Sequence, residues 1–236
     1  MKNEMNIFTP KDKMVSLVRQ NYNLLPVLNR FGIRLGFKDN TVAEICTKKN
    51  VDINFFLAIV NTYHNEDYFP RQELLSFSPL LIIQYLKETH QYYINYVLPK
   101  LEKQLDTLIT GCEEQCRELN MIDAFYKRYK IELLNHLHEE EEKVFPYVEA
   151  LVKQSGVGEY NYNIKNFEKE HTNVEEQLND LKNLLLKYLQ PVYQDNDCNE
   201  FLITLFNFEN DITDHARIED AILVVQAEKL ENEADR

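Results

Sequence analysis

Apolar residues recur every three to four positions over four long stretches of the chain. This period is typical of a helix with one buried face. It predicts long helices over about residues 79–111, 113–153, 161–189 and 197–229. Long helices joined by short connections pack as antiparallel neighbours. The pattern therefore predicts an all-α protein built around an up-down-up-down antiparallel four-helix bundle.

The same pattern divides the chain into four parts. Residues 1–66 contain shorter helical stretches and predict a small helical N-terminal domain. Residues 67–78 contain Pro70 and are followed directly by Pro79, and these prolines interrupt the period, so we expect a linker there. Residues 79–230 form the predicted bundle, and residues 231–236 are expected to be a frayed tail.

Local signals within the N-terminal domain predict three helices. The leucines between Leu17 and Leu28 are spaced for a single helix. Thr41 with Glu44 has the spacing of a capping box that opens a second, short helix. Asp52 is a typical N-cap for the third helix.

Two bundle helices have recognisable starts. Ser78 followed by Pro79 combines an N-cap with a first-turn proline, which predicts the start of the first bundle helix. Asp197 with Glu200 has capping-box spacing and predicts the start of the fourth.

Composition excludes several classes of function. The net charge of −13 argues against a nucleic-acid partner, because phosphate binding needs a basic surface. No apolar run approaches the roughly 20 residues of a membrane span, and the N-terminus has no secretion signal. The four scattered cysteines are typical of reduced thiols, so we expect a cytoplasmic protein.

Four of the six histidines fall into two copies of one pattern, in which a lone histidine precedes a His-x-x-x-Glu step. The copies are His90 with His136 and Glu140, and His171 with His215 and Glu219. Residues four apart lie on one face of a helix, so each step can direct an imidazole and a carboxylate at the same metal. Together the two copies supply the ligands of a dinuclear metal site.

The positions of these histidines along the helices agree with one shared site. About 22 residues separate His90 from the turn near residue 112, and about 24 lead back to His136. In the second pair of helices, about 23 residues separate His171 from the loop near residue 194, and about 21 lead on to His215. Both pairs should therefore lie at one level of the bundle.

Glu140 is the one residue of a four-glutamate run that shares the buried stripe of Leu133, His136 and Val144. We interpret the other three glutamates as a solvated helix face and His138 as a surface residue. A carboxylate directed inward without a cation would cost several kcal/mol. Taken one at a time, each candidate ligand is more typical of an ordinary core residue, but six polar groups at one level favour a bound metal.

Imidazole and carboxylate ligands with open positions suit iron or manganese better than a closed zinc site. A ferritin-like site would use Glu-x-x-His steps on two helices and glutamates on the others. Only Glu168 with His171 forms such a step, so the imidazole-rich set favours a hemerythrin type. Glu175 occupies a position where a further ligand is conceivable, although a surface residue is more typical.

The segments SPLLIIQYLKETHQYY, HLHEEEEKVFPYV, EKEHTNVEEQL and DHARIEDAIL resemble the four helices of the hemerythrin-like (HHE cation-binding) domain over about residues 79–228. The segment before them resembles the N-terminal domain of the iron–sulfur-cluster-repair di-iron proteins, which respond to nitric oxide and oxidative damage. The resemblance implies two non-haem iron ions, oxo-bridged, with four histidine ligands and two bridging glutamates. It assigns these roles to His90, His136, His171, His215, Glu140 and Glu219.

The chain departs from the repair family at one element. That family carries a Cys-Cys-Gly-Gly element where this chain reads RLGFKDN, and Cys46 cannot replace a vicinal pair. Cys112 and Cys116, one helical turn apart, could bind a metal or form a disulfide, but incidental thiols are more typical of this spacing.

We therefore expect a non-haem di-iron protein that responds to O2 or NO, and that either binds the gas or takes part in iron–sulfur-cluster repair under oxidative or nitrosative stress. Damaged iron–sulfur proteins are a candidate partner. An alternative is a non-catalytic, metal-dependent sensor or interaction protein, or an iron-binding protein. A third, plainer alternative is a helical bundle without metal. Tyr93, Phe125 and Tyr129 either line a small-gas pocket or form ordinary core.

Overall fold

The computed structural model describes residues 7–111, 117–154, 164, 168–189 and 193–234. These residues fold into helices, with a single isolated bridge between Lys13 and Thr41 and no strand among them. The all-α class is thus confirmed for the described part of the chain.

The N-terminal part contains five helices: α1 (Met14–Gln20), α2 (Leu24–Arg30), α3 (Val42–Lys49), α4 (Ile53–His64) and α5 (Arg71–Leu74). The capping box of Thr41 and Glu44 and the N-cap of Asp52 are present as predicted. The prediction of a single helix from Leu17 to Leu28 is wrong. The chain becomes extended at Asn21, which ends α1, and α2 starts afresh.

Three of the four bundle helices contain a π-helical segment. The first comprises α6 (Pro79–Tyr92), π1 (Tyr93–Val97) and α7 (Leu98–Thr110). The second comprises α8 (Arg117–Glu139), π2 (Glu140–Val144) and α9 (Phe145–Lys153). The third is α10 (Glu168–Tyr188). The fourth comprises α11 (Asp195–Ile218), π3 (Glu219–Val224) and α12 (Val225–Ala234).

The helix starts test the two capping predictions in the bundle. Ser78 accepts a hydrogen bond from the backbone N–H of Leu80, and Pro79 occupies the first turn, as predicted. The prediction that Asp197 and Glu200 form a capping box at the start of the fourth helix is wrong. The fourth helix begins two residues earlier, at Asp195, so Asp197 already lies inside the first turn.

Contacts between helices show that neighbours run antiparallel. Across the first and second bundle helices, Lys87 pairs with Glu149 and Lys130 pairs with Glu102. Across the first and fourth, His90 contacts His215 and Gln104 donates to the carbonyl oxygen of Glu200. In both cases residue numbers rise along one helix as they fall along the other.

The buried apolar residues form two clusters. The first cluster joins the N-terminal helices to one end of the bundle, and it includes Phe55, Ile83, Phe145 and Ile222. The second fills the other end of the bundle between α7, α8, α10 and α11, and it includes Tyr126, Leu178 and Phe201. The N-terminal helices and the bundle therefore share apolar packing, and the division into separate domains stays a prediction.

Within the described ranges, no helix combines the length and the apolar character that crossing a bilayer requires. The predicted turn cysteines, Cys112 and Cys116, lie outside the described residues.

Candidate metal centre

The candidate ligands lie where the bundle helices change from α to π geometry. Glu140 is the first residue of π2, Glu219 is the first residue of π3, and His90 lies one turn before π1. Single π-helical turns inside α-helices occur often at functional sites. The extra residue in such a turn rotates the side chains on either side of it and so re-directs them relative to the bundle axis.

Prolines account for two of the three π-helical segments. Pro99 and Pro146 each lie in the first turn of the α-helix that follows a π segment. A proline has no N–H to donate, and its ring clashes with the carbonyl four residues earlier. A wider turn accommodates both defects without ending the helix. π3 contains no proline and none follows it in α12, so its cause is not evident in the local sequence.

Four candidate ligands converge in the interior. His90, Glu140, His215 and Glu219 each offer one donor atom, and these four atoms lie within 4.8 Å of one another. The Nε2 atoms of His90 and His215 are 3.2 Å apart. Nε2 of His90 is 3.3 Å from a carboxylate oxygen of Glu140, and Nε2 of His215 is 3.2 Å from one of Glu219. All four side chains are buried.

His136 extends this group on the side of the second bundle helix. Its Nε2 is 3.0 Å from the other carboxylate oxygen of Glu140, Oε1. His171 belongs to α10, which packs against α8 and α11, but its side chain lies outside the described part of the structure. The side chains of Glu168 and Glu175 lie outside it as well. Five of the six predicted ligands are therefore close together.

Glu141 contacts the site, which the sequence interpretation missed. The His90 Nδ1–H donates to its carboxylate over 3.0 Å, and the side chain is 31% exposed. We interpreted it as one of three solvated glutamates, because a residue one position from Glu140 is rotated away from the same stripe. No sequence signal links it to a histidine 51 residues earlier on another helix. Glu142 and His138 are exposed as predicted.

The buried charges affect one another strongly. Burial alone lowers the pKa of His90, but hydrogen bonds to Glu140, Glu141 and Glu219 hold this pKa well above its ordinary value. The hydrogen bond between His90 and Glu141 lowers the pKa of Glu141. A cation is therefore favourable at this place, whether it is a proton on His90 or a metal ion.

The residues fit a metal ion on structural grounds. Two carboxylates with 1% and 0% exposure lie at the centre of an apolar bundle, and such burial is unfavourable without a compensating cation. Nδ1 of His215 is also buried and has no hydrogen-bond partner among the described residues. Nitrogen and carboxylate oxygen donors are the ligands that iron and manganese share.

Aromatic side chains cover the candidate site. The ring of Phe145 stacks on His90 at 5.4 Å between centroids, and the edge of Tyr93 meets the ring of His215 at 5.6 Å. Of the three aromatic residues singled out from the sequence, Tyr93 lies at the site, while Tyr129 and Phe125 pack in the second apolar cluster.

Comparison with known families agrees with this geometry. A family model described as the Hemerythrin HHE cation binding domain matches residues 81–227. No curated protein matches the chain significantly. The matched segment covers more than half of the chain and includes all of the candidate ligands. The chain therefore belongs to the hemerythrin HHE cation-binding domain family.

Proposed function

We propose that this protein is a non-haem di-iron protein that binds or responds to O2 or NO. The observation that carries the proposal is the buried group of His90, Glu140, His215 and Glu219, whose donor atoms lie within 4.8 Å of one another. Two carboxylates and two imidazoles at one level of an apolar bundle are a donor set for more than one cation. Membership of a cation-binding family supports the same assignment.

Each side chain has a distinct part in the proposed site. Glu140 lies between His90 and His136, with one carboxylate oxygen near each imidazole, so it can bridge two metals. Glu219 lies between His90 and His215, and its Oε1 is 3.8 Å from Nε2 of the first and 3.2 Å from Nε2 of the second, so it would hold a metal beside both imidazoles. We assign His171 on α10 as the sixth ligand. Iron held by such donors with positions left open binds small gases and changes its oxidation state.

Glu141 positions His90 for this task. Its carboxylate accepts the Nδ1–H of His90, which fixes the ring orientation and leaves Nε2 directed at the group. A histidine ligand that donates its other N–H to a carboxylate is a common arrangement around protein-bound metals. The aromatic rings of Phe145 and Tyr93 exclude bulk water from the imidazoles.

The proposed response to O2 or NO could include repair of iron–sulfur clusters. The cysteines of this chain argue against a repair mechanism that depends on thiols. Burial raises the pKa of Cys46 to about 11, so its thiolate is scarce at neutral pH. The chain also lacks the vicinal pair of the repair family. Gas binding or sensing at the iron is therefore favoured over cysteine-mediated transfer.

A metal-dependent sensor is the second candidate. It is favoured by the contact of Arg30, from the N-terminal helices, with Asp211 on the ligand-bearing α11. Through this contact a change at the metal could reach the surface that the N-terminal helices present to a partner.

The proposal is tested by anaerobic titration with ferrous iron followed by elemental analysis. We expect two irons per chain, and admission of air should produce ferric charge-transfer absorption. His136→Ala should lose iron, whereas His138→Ala, on the same helix but exposed, should retain it. Failure of the wild-type protein to bind iron would reject the proposal. Manganese retained in place of iron would reject only the metal assignment.

Repair and sensing are separated by a second assay. The iron-loaded protein is incubated with an aconitase whose cluster has been oxidised, and recovery of aconitase activity is measured. Recovery that also occurs in a variant with all four cysteines replaced by serine would assign repair to the iron site alone. No recovery, together with a spectral change on addition of NO, would favour sensing.

A further inference from the structure

A buried ion pair connects the N-terminal helices to the candidate metal centre. Arg30, the last residue of α2, has a side chain that is 1% exposed. Its guanidinium donates two hydrogen bonds to Asp211 on α11, one to each carboxylate oxygen, over 2.8 and 2.7 Å. These residues are 181 positions apart in sequence, and both hydrogen bonds leave the same nitrogen, Nη2, so this charge-assisted contact fixes the distance between α2 and α11.

Aromatic side chains hold the guanidinium in place. Arg30 also donates to the hydroxyl oxygens of Tyr63 and Tyr85, over 3.3 and 3.2 Å. The guanidinium carbon lies 4.9 Å from the ring centroid of Tyr92 and 5.7 Å from that of Tyr93, within the range of cation–π attraction. Arg30 therefore contacts α4, α6 and π1 as well as α11.

Asp211 connects Arg30 to the residues around the candidate ligands. It accepts a hydrogen bond of 2.6 Å from the hydroxyl of Tyr93. Tyr93 follows His90 by three residues, and its ring meets the ring of His215 edge-on. Asp211 itself precedes His215 by four residues, one helical turn away on the same face. His90 is thus one helical turn from Tyr93, and His215 is one helical turn from Asp211.

We infer that Arg30, Asp211 and Tyr93 form a brace that positions His90 and His215, so that the N-terminal helices contribute to the metal centre. The inference rests on the proposed metal-binding function, and it goes beyond it by assigning a role to a residue outside the bundle. None of the three is a ligand. Each is a positioning residue that acts through the turn to which a histidine is attached.

Stability alone does not explain the brace. A buried ion pair is weak evidence for stability, because the cost of desolvating both charges often equals the attraction. An apolar pair of similar volume would join α2 to α11 about as well. What an apolar pair cannot supply is a carboxylate that accepts from Tyr93 and thereby fixes the ring that contacts His215.

The first test uses Tyr93→Phe, which removes the hydroxyl and keeps the ring. Ferrous iron affinity is measured by competition with a chelator, and we expect a decrease of about tenfold, as for other residues that orient metal ligands. The control is Tyr126→Phe, whose hydroxyl donates to the backbone carbonyl oxygen of Leu98 instead of to a residue of the brace. Equal iron affinity in Tyr93→Phe and the wild type would overturn the inference.

The second test removes the ion pair without leaving one charge buried alone. Arg30→Met and Asp211→Leu are made singly and together, and thermal stability and iron affinity are measured for each. We expect the double variant to recover stability relative to the single variants while its iron affinity stays about tenfold below that of the wild type. Recovery of both properties would mean that the pair only stabilises the fold and would overturn the inference. The ion pair between Lys182 on α10 and Glu209 on α11 serves as the matched control.

A measurement without metal separates this inference from the proposed function. In the metal-free protein, the ring ¹⁵N resonances of His90 and His215 should shift in Tyr93→Phe, while those of the exposed His138 should not. If the wild type binds no iron, the proposed function fails, but these shifts still report whether the brace positions the two rings. Unchanged resonances would contradict the brace itself.

Discussion

At the scale of single residues, Glu141 differs from its neighbours in the glutamate run because it contacts His90. We predict that Glu141→Gln lowers the affinity for ferrous iron by about 10- to 100-fold, since the charged partner of Nδ1 is lost. Chelator competition measures the change. Glu142→Gln is the matched control, because Glu142 is exposed and pairs with the exposed His138. Equal effects of the two substitutions would contradict the positioning role.

Cys46 provides a second prediction at this scale. The thiol is buried, and burial together with the nearby Asp52 raises its pKa to about 11. Because the thiolate is the reactive form, Cys46 should react with maleimide at pH 7 far more slowly than a free cysteine, and its rate should rise with pH towards 11. Peptide mapping after timed labelling measures this, with urea-unfolded protein as the control. Fast labelling of the folded protein would show that the thiol is accessible.

At the scale of helices, the start of α3 depends on a capping box. We expect Thr41→Ala to lower the free energy of unfolding by about 1 kcal/mol, because the N–H of Glu44 loses its acceptor. Urea unfolding at pH 7 measures the change.

The same capping box has a pH dependence. The hydrogen bonds from Thr41 lower the pKa of Glu44, so its contribution is present above the unfolded-state pKa. That contribution is lost as pH falls through the lowered, folded-state pKa. Glu44→Gln should therefore destabilise the protein at pH 7 and have a smaller effect near pH 3. An equal effect at both pH values would exclude a role for the charge.

The helices also show what the sequence could and could not predict. Caps at Ser78, Thr41 and Asp52 were predictable, because each is a local hydrogen bond between residues two or three positions apart. The π-helical segments were not. Pro99 and Pro146 follow two of them, but a proline alone predicts a kink or a helix end and not a wider turn, and π3 contains no proline. Asp197 was misleading because the helix begins two residues before the capping-box spacing indicates, at Asp195, and its N-cap residue, Gln194, makes no side-chain cap hydrogen bond.

The residues of the candidate site also divide into those that the sequence could predict and those that it could not. Glu140 could be separated from its neighbours by the stripe it shares with Leu133 and Val144. Glu141 and Arg30 could not be found, because their partners are 51 and 181 residues away and depend on how whole helices pack. A sequence read helix by helix recovers the residues that point inward, and it misses those that reach across between helices.

At the scale of the whole molecule, the N-terminal helices complete the apolar core at one end of the bundle. Phe55 and Phe56 of α4 belong to the same buried cluster as Ile83, Phe145 and Ile222. Deleting residues 1–66 would expose these bundle residues, each worth about 1.5–3 kcal/mol of burial. We predict that the truncated chain is much less stable and aggregates, as measured by thermal unfolding and size-exclusion chromatography. A monomeric, fully stable fragment would show that the bundle does not need this packing.

The candidate ligands lie between the two apolar clusters, since Phe145 of the first cluster stacks on His90 and Tyr93 of the second meets His215. A layer of charge between two hydrophobic regions weakens the cooperativity with which they unfold, because neither region loses much when the other opens. A metal ion bound by side chains from several helices at this layer would cross-link those helices. Native-state hydrogen exchange should therefore show two opening free energies in the metal-free protein, with the region around Tyr126 and Phe201 distinct from that around Phe55. Loading with iron should merge them into one.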